Sequence, residues 1–295
     1  MGLSILIPVY NYNVTSLVQA LATQLTKTGK EGEIILLDDS STSFISNNKL
    51  LENISFVSFH RNERNEGRMA ARLKLSELAR YSHLLFIDCD SDLIKDDFVS
   101  TYFHLLEQDA ALATGGRVYS TAPPADCELM LHWKYGTKRE RSKNAGFMSN
   151  NFLIRREKFN QLEGLTQLTG YGHEDSWWGI QFEQLGVRCQ YINNPVLHAA
   201  LEKSDIFLSK SENALANLLL LEKSVDKGLL GNHIKIYRWY RRLKNAGLAS
   251  LYLFFEKPFH NYFRRNIFSC KPSLLFFDCY RLAHLIRLGK KESTV

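Results

Sequence analysis

Four short apolar runs constrain the fold of this chain more than any other feature. Residues 4–9, 33–37, 54–59 and 84–87 are rich in Ile, Leu, Val and Phe and end in polar or turn-forming residues, the pattern of strands buried on both faces. Between them, residues 16–26, a shorter piece at 47–52 and residues 67–79 carry apolar side chains at helical spacing. Strand and helix alternating in this way build βαβ units, so the expected fold is α/β, a mainly parallel sheet flanked by helices. Residues 114–201 are less regular and richer in Gly, Asn and aromatics, as suits an α+β half that completes a site. Residues 206–221 read as a helix, and the chain beyond 233 as helices broken near Pro258 and Pro272.

In such sheets ligands bind beyond the carboxyl ends of the strands. Those ends here are Pro8-Val9-Tyr10-Asn11, Asp38-Asp39-Ser40-Ser41 and Asp88-Cys89-Asp90-Ser91-Asp92. Asp88 and Asp90, two apart on an extended backbone, point to one side. Such a pair offers hard oxygen ligands to Mg²⁺ or Mn²⁺ bridging a diphosphate, although the same turn can cap the next helix. Neither G-x-G-x-x-G nor G-x-x-x-x-G-K-[ST] occurs, so metal and basic side chains must handle any nucleotide phosphates. Arg68 and Arg72 share a helical face; Arg68 reads as solvated and Arg72, in a more apolar stretch, as a phosphate ligand.

The segment Gly170-Tyr171-Gly172-His173-Glu174-Asp175-Ser176-Trp177-Trp178-Gly179 is the most unusual in the chain. Glycines let a backbone approach a ligand, carboxylates take protons from hydroxyls, and flat aromatic faces suit sugar rings. The competing reading is a helix capped by Glu174 or Asp175 with both tryptophans in the core. His198, in an apolar setting, reads alone as a packed histidine and gains standing only from these neighbours.

The net charge of +6 is unevenly divided. Residues 227–295 hold 14 Lys and Arg against Glu256, Asp278 and Glu292, a balance of +11; residues 1–226 hold 23 basic and 28 acidic side chains, a balance of −5. Two regions are therefore expected, a body over 1–226 and a basic, aromatic helical tail over 227–295. The tail suits membrane phospholipid or nucleic acid, or stands as a solvated helical subdomain. Tyr237-Arg238-Trp239-Tyr240-Arg241-Arg242 and Phe259-His260-Asn261-Tyr262-Phe263-Arg264-Arg265 mix cations and rings as headgroup-level helices do.

With 45% hydrophobic residues over 295 positions, intrinsic disorder is excluded as the main state. No uncharged apolar stretch reaches the roughly 20 residues of a spanning helix. The start, Met-Gly-Leu-Ser-Ile-Leu-Ile-Pro, reads as a strand and not as a signal peptide. Cys89, Cys127, Cys189, Cys270 and Cys279 show neither C-x-x-C nor zinc spacing and are expected as reduced thiols of a cytosolic protein.

Taken in order, Ser4-Ile5-Leu6-Ile7-Pro8-Val9-Tyr10-Asn11, Leu37-Asp38-Asp39-Ser40-Ser41, Asn65-x-Gly67 with Ala71-Arg72, and Asp88-Cys89-Asp90 resemble the signatures of a family 2 glycosyltransferase with a GT-A fold, over about residues 3–220. Residues 170–175 further resemble the G-[WY]-G-x-E-D acceptor motif of galactosyltransferase and polysaccharide-polymerase domains. The resemblance implies inverting transfer of a sugar from a nucleoside-diphosphate sugar, taken as UDP-linked, to an acceptor hydroxyl; the basic aromatic tail fits a glycan or lipid-linked acceptor, as in bacterial surface polysaccharide synthesis. It implies Asp175 as catalytic base and Glu174 as an acceptor ligand, to which the residue reading adds Trp177 and Trp178. Pro8, Tyr10, Asn11, Asp39, Arg72 and Asp88 are expected on the donor, and Asp90, Asp88 and His198 on Mn²⁺ or Mg²⁺. Leu73 stands where many relatives have Asn, and Arg68 is an added cation, departures that bear on the donor contacts; the Q-x-x-R-W segment of processive synthases and spanning helices are missing, which favours single addition.

The expected location is cytoplasmic, with the tail peripheral on the cytoplasmic face of an anionic membrane. Two other classes compete. A non-catalytic nucleotide-sugar-binding protein would need Asp39 and Asp90 but not Asp175. A nucleic-acid-binding protein would use the basic tail and leave the strand-end acids unexplained, so no nucleic acid is expected as partner.

Overall fold

The computed structural model describes residues 2–140, 147–162 and 172–292. The chain divides into two compact units, each assembled from three segments. The first comprises Met1–Tyr119, Phe147–Gly164 and Gln181–Ala200. Its strands are β1 (Leu3–Val9), β2 (Gly32–Asp38), β3 (Val57–Arg61), β4 (His83–Ile87), β5 (Ser91–Leu93), β6 (Leu112–Thr114), β7 (Arg117–Val118), β8 (Asn151–Arg155), β9 (Gln190–Tyr191) and β10 (Val196–His198).

Seven of them form one sheet in the order β3-β2-β1-β4-β8-β6-β9. The four expected strands are parallel to one another, and β8 runs antiparallel between β4 and β6. β1 is an interior strand because nearly all of its side chains are apolar and can be buried on both faces. Ile5, Ile7, Leu36, Leu85 and Ile87 pack with helix α1 (Thr15–Thr28) and with α3 (Phe98–Glu107), while α2 (Arg68–Leu78) contacts β1 and β2. Burying each such aliphatic side chain contributes about 1.5–3 kcal/mol. α1 stops at Gly29, whose left-handed backbone (φ 63°) returns its N–H to Thr26 O.

β3 begins at Val57 and not at 54, because Leu50–Asn53 forms a 3₁₀ turn on which Ile54 N closes, 3.0 Å from Leu51 O. A second sheet, β5-β10-β7, was not expected. Strands of two and three residues are too short for periodicity to register.

The second unit comprises Ser120–Gly146, Leu165–Ile180 and Leu201–Val295 and is helical. Helix α4 (Glu174–Gln184) has residues 174–180 in this unit and 181–184 in the first. Then follow α5 (Ser204–Ser224), α6 (Lys235–Asn245), α7 (Ala249–Glu256), α8 (His260–Ile267) and α9 (Leu274–Glu292). Pro258 lies in a 3₁₀ turn between α7 and α8, and Pro272 in the break before α9, as expected from the missing N–H of proline. The tail from 227 is thereby grouped with two earlier segments of the chain.

Leu131, Leu208, Ile267, Phe277 and Tyr280 form this unit's core, with Tyr135 and Phe207 against it. One expectation is corrected here. Cys127 and Cys270 are joined in a disulfide across a sequence separation of 143, whereas Cys89, Cys189 and Cys279 are free. Tertiary packing makes the pair, so no local cysteine spacing could announce it.

Candidate functional site

Pairing register brings the strand ends to one edge of the first unit. Val9 is opposite Asp38 in the β1–β2 pair, and Leu6 is opposite Phe86 in the β1–β4 pair, so residues after 9, 38 and 87 leave the sheet together. The chain steps from β1 to β2 on one side and reaches β4 on the other, which makes the β1/β4 crevice a topological switch point, where ligands bind in open α/β sheets. Pro8 is half-buried there, and Tyr10 is 51% exposed.

Asn11 and Asp39 are fastened to the loops around them. Asn11 adopts φ 49°, donates its N–H to Ser41 Oγ (2.8 Å) and accepts from the N–H groups of Thr42 (2.7 Å) and Ser43 (3.2 Å), locking the loop after β2 to the end of β1. Asp39 is buried; its Oδ1 accepts from Asn62 Nδ2 (2.8 Å) and Glu66 N (2.9 Å), and its Oδ2 from Gly67 N (2.8 Å). Gly67 has φ +88°, a conformation that a side chain would strain, so Asp39 and Gly67 together set where α2 begins.

The two acids of the D-x-D turn have different surroundings. Asp88 faces arginines: Arg72 Nη2 donates to its Oδ1 at 2.5 Å, and Arg117 Nη2 lies 3.9 Å from its Oδ2. Arg72, expected on the donor phosphates, is only 1% exposed and also donates to Ser149 O (3.2 Å). It lies on the inward face of α2, so any influence on a ligand passes through Asp88. Asp90 instead lies 3.5 Å from His198 Nδ1. Burial alone would raise its carboxyl, but the hydrogen bond and charge of His198, then Arg117 and Arg68, outweigh that and hold it well below the usual carboxylate range. Cys89, between the two acids, is pushed up to about 12 by burial and then by Asp90 and Asp88, so it stays a neutral thiol.

His198 is brought to Asp90 by the small sheet. β10 pairs antiparallel with β5, setting His198 opposite Ser91, and parallel with β7, setting Val196 opposite Arg117. Ala199 N also donates to Asp90 O (2.9 Å). Arg117 and Tyr119, whose ring meets that of His198 at 5.2 Å, were missed from the sequence. The only signal for them was Gly115-Gly116 just before: a methyl group at Gly115 would collide with Asn194 O, the Asn151 amide and the Tyr102 hydroxyl.

Among the described residues no group of three or more His, Cys, Asp or Glu converges on one point. Asp90 and His198 form a pair. The deprotonated carboxylate of Asp90 fits Mn²⁺ or Mg²⁺ as a partial ligand, whereas the softer imidazole of His198 fits the transition metal Mn²⁺ better than Mg²⁺. Asp88, with its charge compensated by two arginines, is the weaker ligand.

The second unit holds the other expected residues. Gly170 and Tyr171 lie outside the described residues. Gly172 has φ +114°, and its N–H donates to Glu174 Oε2 at 3.0 Å, so Glu174 fastens the turn that opens α4. Asp175 is half-buried in the first helical turn, where the helix dipole favours negative charge. Trp177 and Trp178 are 7% and 1% exposed. Rings so buried serve packing, and stacking on a sugar requires an open face. His173 precedes them with φ 69°; burial, then the charge of Arg281, lower it to about 4, so it is neutral at physiological pH.

The family model for Glycosyl transferase family 2 matches residues 4–163. Mannosyltransferase PcManGT from Pyrobaculum calidifontis, solved in complex with GDP-Man and Mn²⁺, is similar in structure at TM-score 0.60 and 14% identity, with 98% of this chain and 86% of that one covered. Residues 1–349 of S. aureus TarS give TM-score 0.53 at 14% identity, covering 100% and 92%. Glucosyl-3-phosphoglycerate synthase from Mycobacterium tuberculosis, solved with Mn²⁺, UDP-Glc and phosphoglyceric acid, gives 0.52 at 16% identity, covering 74% and 78%. No curated protein sequence matches the chain.

Proposed function

The chain belongs to glycosyl transferase family 2 and has a GT-A type fold, and from that premise we propose that it is an inverting transferase moving a sugar from a UDP-linked donor to a hydroxyl of a glycan or lipid-linked acceptor, in the synthesis of bacterial surface polysaccharide. The observation that supports this most is the difference between Asp88 and Asp90. One acid is ion-paired with Arg72 and flanked by Arg117, while the other is kept ionised beside His198 at the switch point of the sheet.

In this reading Tyr10 and the loops locked by Asn11 and Asp39 receive the nucleoside. Asp90 and His198 hold the divalent cation, which when bound offsets the charge of the departing diphosphate. Asp175 takes the proton from the acceptor hydroxyl. The acceptor oxygen forms its bond to the anomeric carbon from the face opposite the diphosphate, whose bond to that carbon breaks with the electron pair leaving on the diphosphate. Glu174 keeps the turn before Asp175 in place. GDP-Man and UDP-Glc in the structurally similar enzymes make guanosine and uridine diphosphate sugars the first donors to try.

A thermal-melting screen of UDP-, GDP-, CMP- and dTDP-sugars with and without Mn²⁺ tests the reading. A donor at a hundredfold excess over its Kd adds about 2.7 kcal/mol of apparent stability. One nucleotide sugar is expected to raise the melting temperature only with Mn²⁺ present, and Asp90→Asn to abolish that rise. Metal-independent or absent shifts across the whole set would sink the donor assignment.

A further inference from the structure

We propose that the stretch from Leu248 to Leu275 in the second unit is a docking surface for an anionic lipid bilayer. This goes beyond the transferase reading and does not rest on it. Leu251, Phe254 and Phe255 on α7 are 49%, 71% and 62% exposed, and Phe259 and Tyr262 just beyond are 55% and 57% exposed. The rings of Phe254 and Phe255 lie 5.6 Å apart, and Phe276 gathers Phe263 and Tyr262 at 5.0 and 5.4 Å. A concentration of large apolar side chains on the outside of a folded unit marks a surface meant for something apolar.

Neighbouring aromatics of the same unit are not left outside. Tyr237, Tyr240 and Phe277 are 0%, 2% and 0% exposed. Of the rings in the first mixed segment of the tail only Trp239 is exposed, so the docking face centres on α7 and α8.

Charge identifies the partner. Residues 248–275 contain four Lys and Arg and a single carboxylate, Glu256. Its side chain is 2% exposed and held by His260 Nδ1 (2.7 Å) and by Arg287. With that carboxylate buried, the charges this stretch presents are positive, those of exposed Lys257, Arg264, Arg265 and Lys271. Rings and leucines interleaved with cations match the headgroup region of an anionic leaflet, where apolar side chains enter the acyl boundary and cations meet phosphate. A second copy of the same surface would bring like charges together, and nucleic acid gives no reason to expose Leu251 beside Phe254.

The test is flotation of the full chain with vesicles of phosphatidylcholine alone and of phosphatidylcholine containing about one third phosphatidylglycerol. Binding to the anionic vesicles, weakened by salt, is expected, with little binding to the neutral ones. Arg264→Ala with Arg265→Ala should lower partitioning about 30-fold, and Phe254→Ser with Phe255→Ser at least about tenfold. These four side chains are exposed, and unchanged melting checks that both double variants fold. Transfer to a soluble acceptor reports on the transferase reading separately. The proposal is overturned by equal binding to neutral and anionic vesicles, by partitioning unchanged in both variants, by tighter binding to a single-stranded oligonucleotide than to vesicles, or by a dimer that the phenylalanine variant dissolves.

Discussion

In the first unit Arg72 is 1% exposed and lies 2.5 Å from a buried carboxylate, whereas in the second Phe254 is 71% exposed to water. A buried arginine and an exposed phenylalanine both cost free energy, and each is tolerated where a ligand or partner gains from it. The sheet unit uses its buried ion pair to fix a strand-end turn, leaving Asp90 as the acid proposed for a cation. The helical unit buries Glu256, the one carboxylate of residues 248–275, and keeps the Lys and Arg of that stretch outside.

Paired substitutions sharpen this contrast most. Asp175→Asn is expected to cut turnover by about 10²–10⁴ while donor binding stays intact, as for a lost general base. Asp90→Asn is expected to weaken metal-dependent donor binding itself. Single-turnover kinetics beside donor titration separate the two, and a folded Asp175→Asn protein with normal turnover removes the base assignment.

Next in size is Arg72→Met, which leaves Asp88 buried without its nearest cation and should cost about 3–5 kcal/mol in urea unfolding. Adding Asp88→Leu should recover much of that loss; no recovery would mean that Arg72 acts chiefly through Ser149 and packing. In the helical unit, Cys127→Ser with Cys270→Ser should cost about 2–4 kcal/mol, with the same fall in melting temperature on adding reductant to the native chain. An unchanged melt under reductant would show that the bridge bears no stability.

The smallest effect concerns His173. Its folded pKa, about 4, is below the ordinary histidine value of 6.5, so between these two pH values the unfolded chain binds more protons. Stability should therefore fall as pH is lowered from about 6.5 towards 4 and gain nothing from this group above that window. His173→Asn, which tolerates the left-handed backbone, should flatten that part of the urea-midpoint profile. An identical slope in the variant would transfer the effect to other groups.

The parallel half of the fold was legible because β1, β2 and β4 are buried on both faces and so appear in the sequence as unbroken apolar runs. Asp88 and Asp90 were legible as a pair through their spacing on a strand end. What separates them was not. Arg72 reaches Asp88 from the inward face of α2, and Arg117 and His198 arrive on strands of two and three residues whose pairing is entirely non-local. The tryptophans of α4 were visible as unusual, but whether they stack or pack depends on burial, which local pattern does not set. The second unit's composition announced its charge, and only the helix faces decide that Tyr237 is inside while Phe254 is outside.

The short strand β10 also has a meaning in the order of synthesis. A nascent chain that has just completed β4 and the turn after it carries Asp88 and Asp90 as two like charges with Arg72 already made. Arg117 emerges next, and His198 only after β8 and β9 have been translated. The acid proposed for the cation is therefore the last of the pair to receive its partner. A ribosome-stalled chain that ends before β10 should have the parallel strands available for folding yet lack half of the pair proposed for the cation.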